Sequence, residues 1–248
     1  MLRVLLRFFL LGLGAAYVLN VYSRGAQTPF TYWITGCFSL VVLMRLGAAR
    51  SLYGKRKDGS VAWWAYFLLG PFLLFRWLLW YWTRLVSREP ACAELTSGIW
   101  VGRRIMANEL PAQVDTVVDL TYEFREPRAI AEKHNYILFP ILEGSVPHNS
   151  FEFLELIKKL KREPTTLYIH CADGHGRTAL VAAALLVAKG ISPNLTQAFA
   201  DFKKARGAGY LTFLQRFFMR RMEPHLCQLR SDEGDAQGSI NSTFPEPQ

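Results

Sequence analysis

The sequence predicts an α/β domain, a central sheet flanked by helices, preceded by an α-helical membrane region. Three observations carry that expectation. Between residues 98 and 189 short apolar strands alternate with helical stretches, and only helices follow, as in a sheet covered by helices. Residues 167–190 read as strand, glycine-containing loop and helix start. The first 88 residues hold three long apolar runs.

The N-terminal runs come first. Residues 2–22 are apolar apart from Arg3, Arg7 and Asn20, enough to cross a hydrocarbon core of ~30 Å. The two arginines can snorkel toward headgroups. A cleaved signal peptide is the competing reading, but a second run follows at once over residues 29–46. A basic loop comes next, with Arg45, Arg50, Lys55, Arg56 and Lys57. The third run, 61–82, carries Trp63, Trp64, Trp77, Trp80 and Trp82 and is interrupted by Gly70-Pro71, which reads as a midpoint bend. Two arms of about ten residues are each too short to span, so the run is expected to form an interfacial hairpin. A third full span is the rival.

Charge supports this division. Residues 1–88 hold eleven Lys/Arg against one acid, Asp58, whereas residues 89–230 are nearly balanced and the tail from 231 is acidic. Basic excess confined to the apolar part argues for anionic headgroups and membrane topology, and against nucleic acid as a partner. The four cysteines (37, 92, 171, 227) show no framework spacing, so no disulfide scaffold is expected.

Residues 84–93 read as a polar linker, with Pro90 marking a boundary. The domain of residues 89–230 then opens with a short strand at 98–102. A continuous strand follows over 114–120, a helix from Pro127 to about His134, and another strand at 136–139. Asn149 or Ser150 can cap a helix over 151–161. The strand at 166–170 leads into the loop, and helices over 178–189, 193–206 and 210–222 close the domain. Residues 231–248, rich in Gly, Ser, Pro and acids, read as disordered.

The chemistry concentrates in residues 167–180. Leu167, Tyr168 and Ile169 lead into His170-Cys171; five residues later comes Arg177, with Gly174 and Gly176 between. A loop entering a helix turns its N–H groups inward, so the backbone of Ala172, Asp173, Gly174, His175 and Gly176 favours an oxyanion such as phosphate. The same surroundings favour a thiolate at Cys171, and the planar fork of Arg177 can hold two phosphate oxygens. Two other readings compete. Cys171 can be a small buried hydrophobe, which leaves the glycines and Arg177 unexplained. His170, Cys171, Asp173 and His175 can be a metal site, but no second Cys/His pair stands at finger-like spacing, and strand alternation turns His170 away from the loop. No metal and no cofactor are expected.

His170-Cys171, five residues, then Arg177-Thr178, in this strand–loop–helix setting, resemble the cysteine-based protein tyrosine phosphatases, and among them the dual-specificity type. The resemblance implies a dual-specificity phosphatase-like fold and a two-step transfer through a cysteinyl phosphate. Thr178 is implied to help the sulfur leave, and an acid on the loop after residue 139 to protonate the leaving group. Where the family pattern expects Asp, this chain carries Glu143, followed by Gly144. Asp119 is the rival acid; Asp173 is a third, read instead as shaping the substrate.

The implied function is a membrane-anchored phosphatase acting on a phosphoprotein or a lipid monophosphate. The alternative is a non-catalytic phosphate-binding scaffold that kept the cradle and lost an effective acid. An acid and a histidine inside the loop disfavour polyphosphorylated headgroups. Basic clusters at Lys158, Lys159, Lys161 and Arg162 and at Lys203, Lys204 and Arg206 read as solvated helix faces that leave a lipid substrate open. With the basic loop inside and the third run re-entrant, the catalytic domain is expected to face the cytosol.

Overall fold

The computed structural model describes residues 29–45 and 50–241. The first expected span, residues 2–22, lies outside them. Helix α1 (Pro29–Arg45) is followed by a short 3-10 turn at Arg50–Tyr53 and by the long helix α2 (Trp63–Val86). The α/β part follows as β1 (Cys92–Thr96), β2 (Ile99–Arg103), β3 (Thr116–Asp119), α3 (Arg128–Lys133), β4 (Asn135–Leu138), α4 (Ser150–Arg162), β5 (Leu167–Cys171), α5 (Gly176–Ala188), α6 (Leu195–Arg206) and α7 (Phe213–Asn241).

The five strands form one mixed sheet in the order β1-β2-β5-β3-β4. β1 runs antiparallel to β2, and the remaining pairs are parallel. β5 is therefore central, with His170 in register with Gly102 on one side and Asp119 on the other. Every residue of β5 is buried, which explains its unbroken apolar lead-in. α5 is buried from Arg177 to Ala188, and its small and aliphatic side chains join those of α4, α6 and α7 in the main core. Helices cover the sheet as the alternation of elements predicts.

Strand β1 falls at and beyond the end of the expected linker. Its five residues, Cys-Ala-Glu-Leu-Thr, are mostly half-buried at a sheet edge, so no alternation or apolar run marks them. α6 begins later than Pro193 suggests, because the Asn194 side chain accepts from the Gln197 amide at 2.8 Å and sets the start. Asn149 caps α4 in the same way, accepting from Phe151 at 2.9 Å. α7 extends to Asn241, eleven residues past the boundary at residue 230 that composition suggests. Residues 242–248 lie outside the described part.

The helix is not broken into two arms at Gly70-Pro71: α2 is one continuous helix of 24 residues. Pro71 has no N–H, so the Phe67 carbonyl loses its usual donor. Trp33 of α1 replaces it, its Nε1–H donating to the Phe67 carbonyl at 2.7 Å. Gly70 makes the approach possible, since a Cβ there would lie 3.0 Å from the Trp33 ring. The pair that looks like a hinge is a docking site for a neighbouring indole. α2 is also the one helix among the described residues long and apolar enough to cross a membrane.

One face of α2 packs inward. Leu69, Phe72 and Leu73 meet Cys37, Val41 and Met44 of α1, together with Tyr53 and Leu142. Further along, Trp80 is buried against Phe124 and Ala172, the residue after Cys171, with the Arg104 guanidinium 4.9 Å over its ring. Arg84 pairs with Glu109 at 2.6 Å.

The Trp33–Phe67 bond makes a double-variant test. Trp33→Phe lowers stability by about 1 kcal/mol in the parent, where Pro71 leaves the carbonyl without another donor. In a Pro71→Ala background the restored amide fills the position, and the same change costs little. Thermal melts of the four proteins check this; equal losses in both backgrounds would contradict the role assigned to Trp33.

Candidate functional site

The site forms where the parallel strands end, at the C-terminal edge of β5 and β3. Cys171 closes β5 and is 3% exposed. The loop then presses against β2. Gly174 has φ +73°, and a Cβ there would fall 2.4 Å from the Gly102 carbonyl carbon. Both conformation and space demand glycine, so the loop's path depends on that residue. Thr178, fully buried, donates its hydroxyl to the Gly102 carbonyl at 3.5 Å.

Arg177 opens α5 and points across the end of β3. Its Nη2 donates to Glu123 Oε1 at 2.8 Å and its Nη1 to Glu123 Oε2 at 3.1 Å, a two-bond fork. Nη1 also donates to the carbonyls of Ile141 at 3.0 Å and Leu120 at 3.3 Å. Burial opposes ionisation of Glu123, but the Arg177 and Arg76 guanidiniums outweigh it and hold the carboxyl down to about 2.

Arg76, in the middle of α2, is 4% exposed. It reaches Glu123 at 3.3 Å through Nη2 and Glu143 at 2.9 Å through Nη1. Arg45, the last residue of α1, adds a contact to Glu143 Oε2 at 3.4 Å and donates to the Glu143 carbonyl at 2.8 Å. The loop carrying Glu143 is fixed from the other side. Thr212 donates its hydroxyl to the Gly144 carbonyl at 3.1 Å, and Gln215 donates its amide to the Ser145 carbonyl at 2.9 Å.

These groups surround a cavity of about 520 Å³ lined by Cys171, Asp173, Arg177, Glu143, Arg76 and Tyr210, among others. The structure thus gathers the expected nucleophile, clamp and acid around one space. Burial pushes the Asp173 carboxyl up, against the pull of Arg76. His175 and Gly176 line the cavity as well. The His175 ring packs on Tyr210, and its Nε2 meets Glu89 at 2.7 Å.

Asp119 is absent from the cavity lining. It is fully buried beneath the loop, where Lys55 contacts it at 2.7 Å and the Tyr136 hydroxyl donates to it at 2.7 Å. Thr121 contributes both its amide and its hydroxyl. Burial favours the neutral acid, but Lys55, His170 and Tyr136 override it and lower the Asp119 pKa well below the usual carboxylate range. Lys55 also donates to the Phe124 carbonyl. His170 lies on this side, stacked on Tyr168 and 3.7 Å from Glu126. The four residues weighed as metal ligands are therefore divided between two faces of the loop. Asp119, Glu126 and His170 do cluster, but the Lys55 ammonium already supplies positive charge there.

Glu123, Arg76, Arg45 and Tyr210 were not among the expected site residues. One signal was legible for Arg76: a lone arginine amid apolar helix residues is costly unless paired. Glu123 lies four residues past the end of β3, a region where parallel sheets place ligands, yet nothing in its immediate sequence marks it.

With that geometry in place, comparison with known proteins is informative. A family model described as PTP-SAK, Swiss Army Knife protein, DSP-PTPase phosphatase domain, matches residues 104–223. This match supports a dual-specificity/tyrosine phosphatase-type domain. Protein 197R of Invertebrate iridescent virus 6, named as a tyrosine phosphatase, is 43% identical over 90 residues, covering 32% of this chain and 34% of that protein. The chain thus spans about a third of the length of the curated relative it matches. Among solved structures, Tk-PTP in the active form superposes with a TM-score of 0.48 at 23% identity, covering 54% of this chain and 97% of that one. Human DUSP28 does so with a TM-score of 0.46 at 18% identity, covering 55% and 95%.

The buried cluster of Asp119, Glu126 and His170 gives a pH prediction. Burial and the nearby Asp119 charge push the Glu126 carboxyl up to about 8 from its ordinary 4.5, and neither of its oxygens has a hydrogen-bond partner. Burial likewise brings His170 down to about 4, so neutral acid faces neutral imidazole. The folded chain keeps the Glu126 proton while the unfolded chain releases it, so stability falls as pH climbs from about 4.5 to 8. Glu126→Gln removes this dependence. It should melt a few degrees above the parent at about pH 8.5, with the gap closing near pH 4.5. A gap independent of pH in calorimetric scans would refute the assignment.

Proposed function

We propose that the chain is a membrane-anchored, cysteine-dependent phosphatase that hydrolyses phosphomonoesters. The observation that carries this reading is the convergence of Cys171, Arg177 and Glu143 on one cavity, with the nucleophile at the end of a central strand and the clamp opening the next helix. The family match over residues 104–223 supports it. So does the name of the viral relative.

Cys171 Sγ attacks phosphorus, and the bond from phosphorus to the leaving oxygen breaks as that oxygen takes a proton from Glu143. The backbone of residues 172–176 and the Arg177 guanidinium, oriented by Glu123, bind the equatorial oxygens. Water then attacks the cysteinyl phosphate and passes a proton to Glu143. The sulfur–phosphorus bond breaks, and Thr178 assists departure of the thiolate. Inorganic phosphate leaves, and thiolate and protonated acid are restored. The substrate is a phosphoprotein or a lipid monophosphate. The apolar run at 2–22, with α1 and α2, holds the chain at a membrane, with residues 89–230 on the cytosolic side.

A second reading is a phosphate-binding scaffold without turnover. The observation favouring it is that Glu143 is engaged by both Arg45 and Arg76 and is the longer of the two acidic side chains.

Cys171→Ser should abolish turnover of an aryl phosphate, and Arg177→Lys should remove most of it, because a point charge cannot replace a two-bond fork. Unchanged turnover in either variant would overturn the assignment, and a parent that binds phosphate without turnover would favour the scaffold.

Glu143→Gln should slow alkyl phosphates by about a hundredfold while sparing activated aryl phosphates, whose leaving groups scarcely need a proton. Asp173→Asn is the control. If that variant shows the selective loss and Glu143→Gln does not, the acid lies inside the loop.

A further inference from the structure

Helix α2 is apolar on two opposite faces. Leu69, Phe72, Leu73, Arg76 and Trp80 face the protein and are buried. On the other side Phe67, Leu74, Leu78, Trp82 and Leu85 recur at helical spacing and are 52–75% exposed. A stripe of that size on a folded chain marks a surface that something covers.

The contacts of the inner face limit what that can be. They run from Leu69 to Arg84, about 22 Å of helix at ~1.5 Å per residue. Along that length α2 touches Glu143, Glu123, Ala172 and Glu109. A helix crossing the bilayer in this arrangement would carry the charged domain into hydrocarbon with it. The helix therefore lies along the membrane surface, its outer face in the interface. Charge agrees: the exposed Arg56 and Lys57 precede the helix and the exposed Arg88 follows it, matching anionic headgroups. Its tryptophans and tyrosines suit the same depth.

The same helix walls the cavity. Phe75 and Leu79 of α2 line it beside Arg76, and Leu79 is 39% exposed, so pocket and outer face meet at that residue. Across the opening stands Tyr210, 58% exposed, with Phe213 at 80% and Phe217 at 57% beyond the pocket-lining Thr212. The mouth of the pocket is thus flanked on both sides by exposed apolar side chains.

We infer that the pocket takes its phosphomonoester from the bilayer surface, and that the substrate is a membrane phospholipid with a terminal phosphate, its apolar part remaining in the interface between α2 and the start of α7. The inference rests on the reading of this cavity as a phosphomonoesterase site. A soluble phosphopeptide has no use for an apolar rim on both sides of the mouth, whereas a lipid headgroup must leave the interface across such a rim.

The test uses the full chain in phosphatidylcholine vesicles containing phosphatidylglycerol. Phosphate release is measured from dioleoyl phosphatidic acid, from a phosphotyrosine peptide and from a soluble aryl phosphate. The lipid is expected to be turned over faster than the peptide. Leu78→Glu combined with Leu85→Glu, both outside the cavity, should lower kcat/KM on the vesicle lipid by about tenfold or more. Turnover of the aryl phosphate should stay within about twofold. Preference for the peptide, or equal losses on lipid and aryl phosphate, would overturn the lipid inference while leaving the phosphatase reading standing. Absence of release from the aryl phosphate would overturn both.

Discussion

A chain of buried and half-buried ion pairs, Arg45–Glu143–Arg76–Glu123–Arg177, joins the N-terminal helices to the loop that carries Cys171. Each acid lies between two guanidiniums, and each end of the chain belongs to a different part of the fold. Charges removed from water persist only when paired, and removing one partner leaves the next uncompensated. The effect is visible at Glu123, whose carboxyl is held near 2 although it is buried. Arg177 is therefore aimed by Glu123, Glu123 is shared with Arg76, and Arg76 is placed by a helix whose apolar residues pack on the domain. The orientation of Arg177 depends on a helix that lies about a hundred residues earlier in the chain.

A second seam lies under Cys171. Lys55, from the segment between α1 and α2, sits against Asp119 at the end of β3 and the Phe124 carbonyl. The same buried cluster holds His170 and Glu126, both neutral by virtue of burial near neutral pH. Glu126 in turn donates its amide to the Gly59 carbonyl. The loop preceding α2 is thus bonded to the domain on both its flanks. Asp119, read from sequence as a rival proton donor, is instead the anion that holds this segment down.

What the sequence made legible was what local chemistry decides. Cys171, Gly174 and Arg177 announce themselves because strand, loop and helix start lie within about a dozen residues, and Gly174 is demanded by one backbone approach. Glu143 was placed in the cavity by its position after β4. Features set by distant partners stayed hidden. A residue in the loop after a parallel strand carries no label that it will meet Arg177, so Glu123 was missed. β1 is short and half-buried, and so has no period to read. Gly70-Pro71 misled for a related reason: a proline and a glycine break an isolated helix, but here Trp33 supplies the missing donor and occupies the space the glycine leaves.

The two seams carry a consequence for how the site can work. The wall of the cavity formed by Phe75, Arg76 and Leu79 is continuous with the face of α2 that points away from the protein. Because Arg76 is locked to Glu123 and Glu143, a tilt of α2 cannot occur without disturbing the groups that orient Arg177 and hold the proposed acid. The packing of the inner face of α2 on the domain therefore holds the geometry around Cys171. A soluble fragment lacking residues before 89 would lose two of the three guanidiniums, leaving Glu143 without its partners and Glu123 with Arg177 alone. The cysteine loop would survive such a cut, but the ion pairs that aim Arg177 would not; in this chain the apolar N-terminal helices are part of the frame around the candidate site.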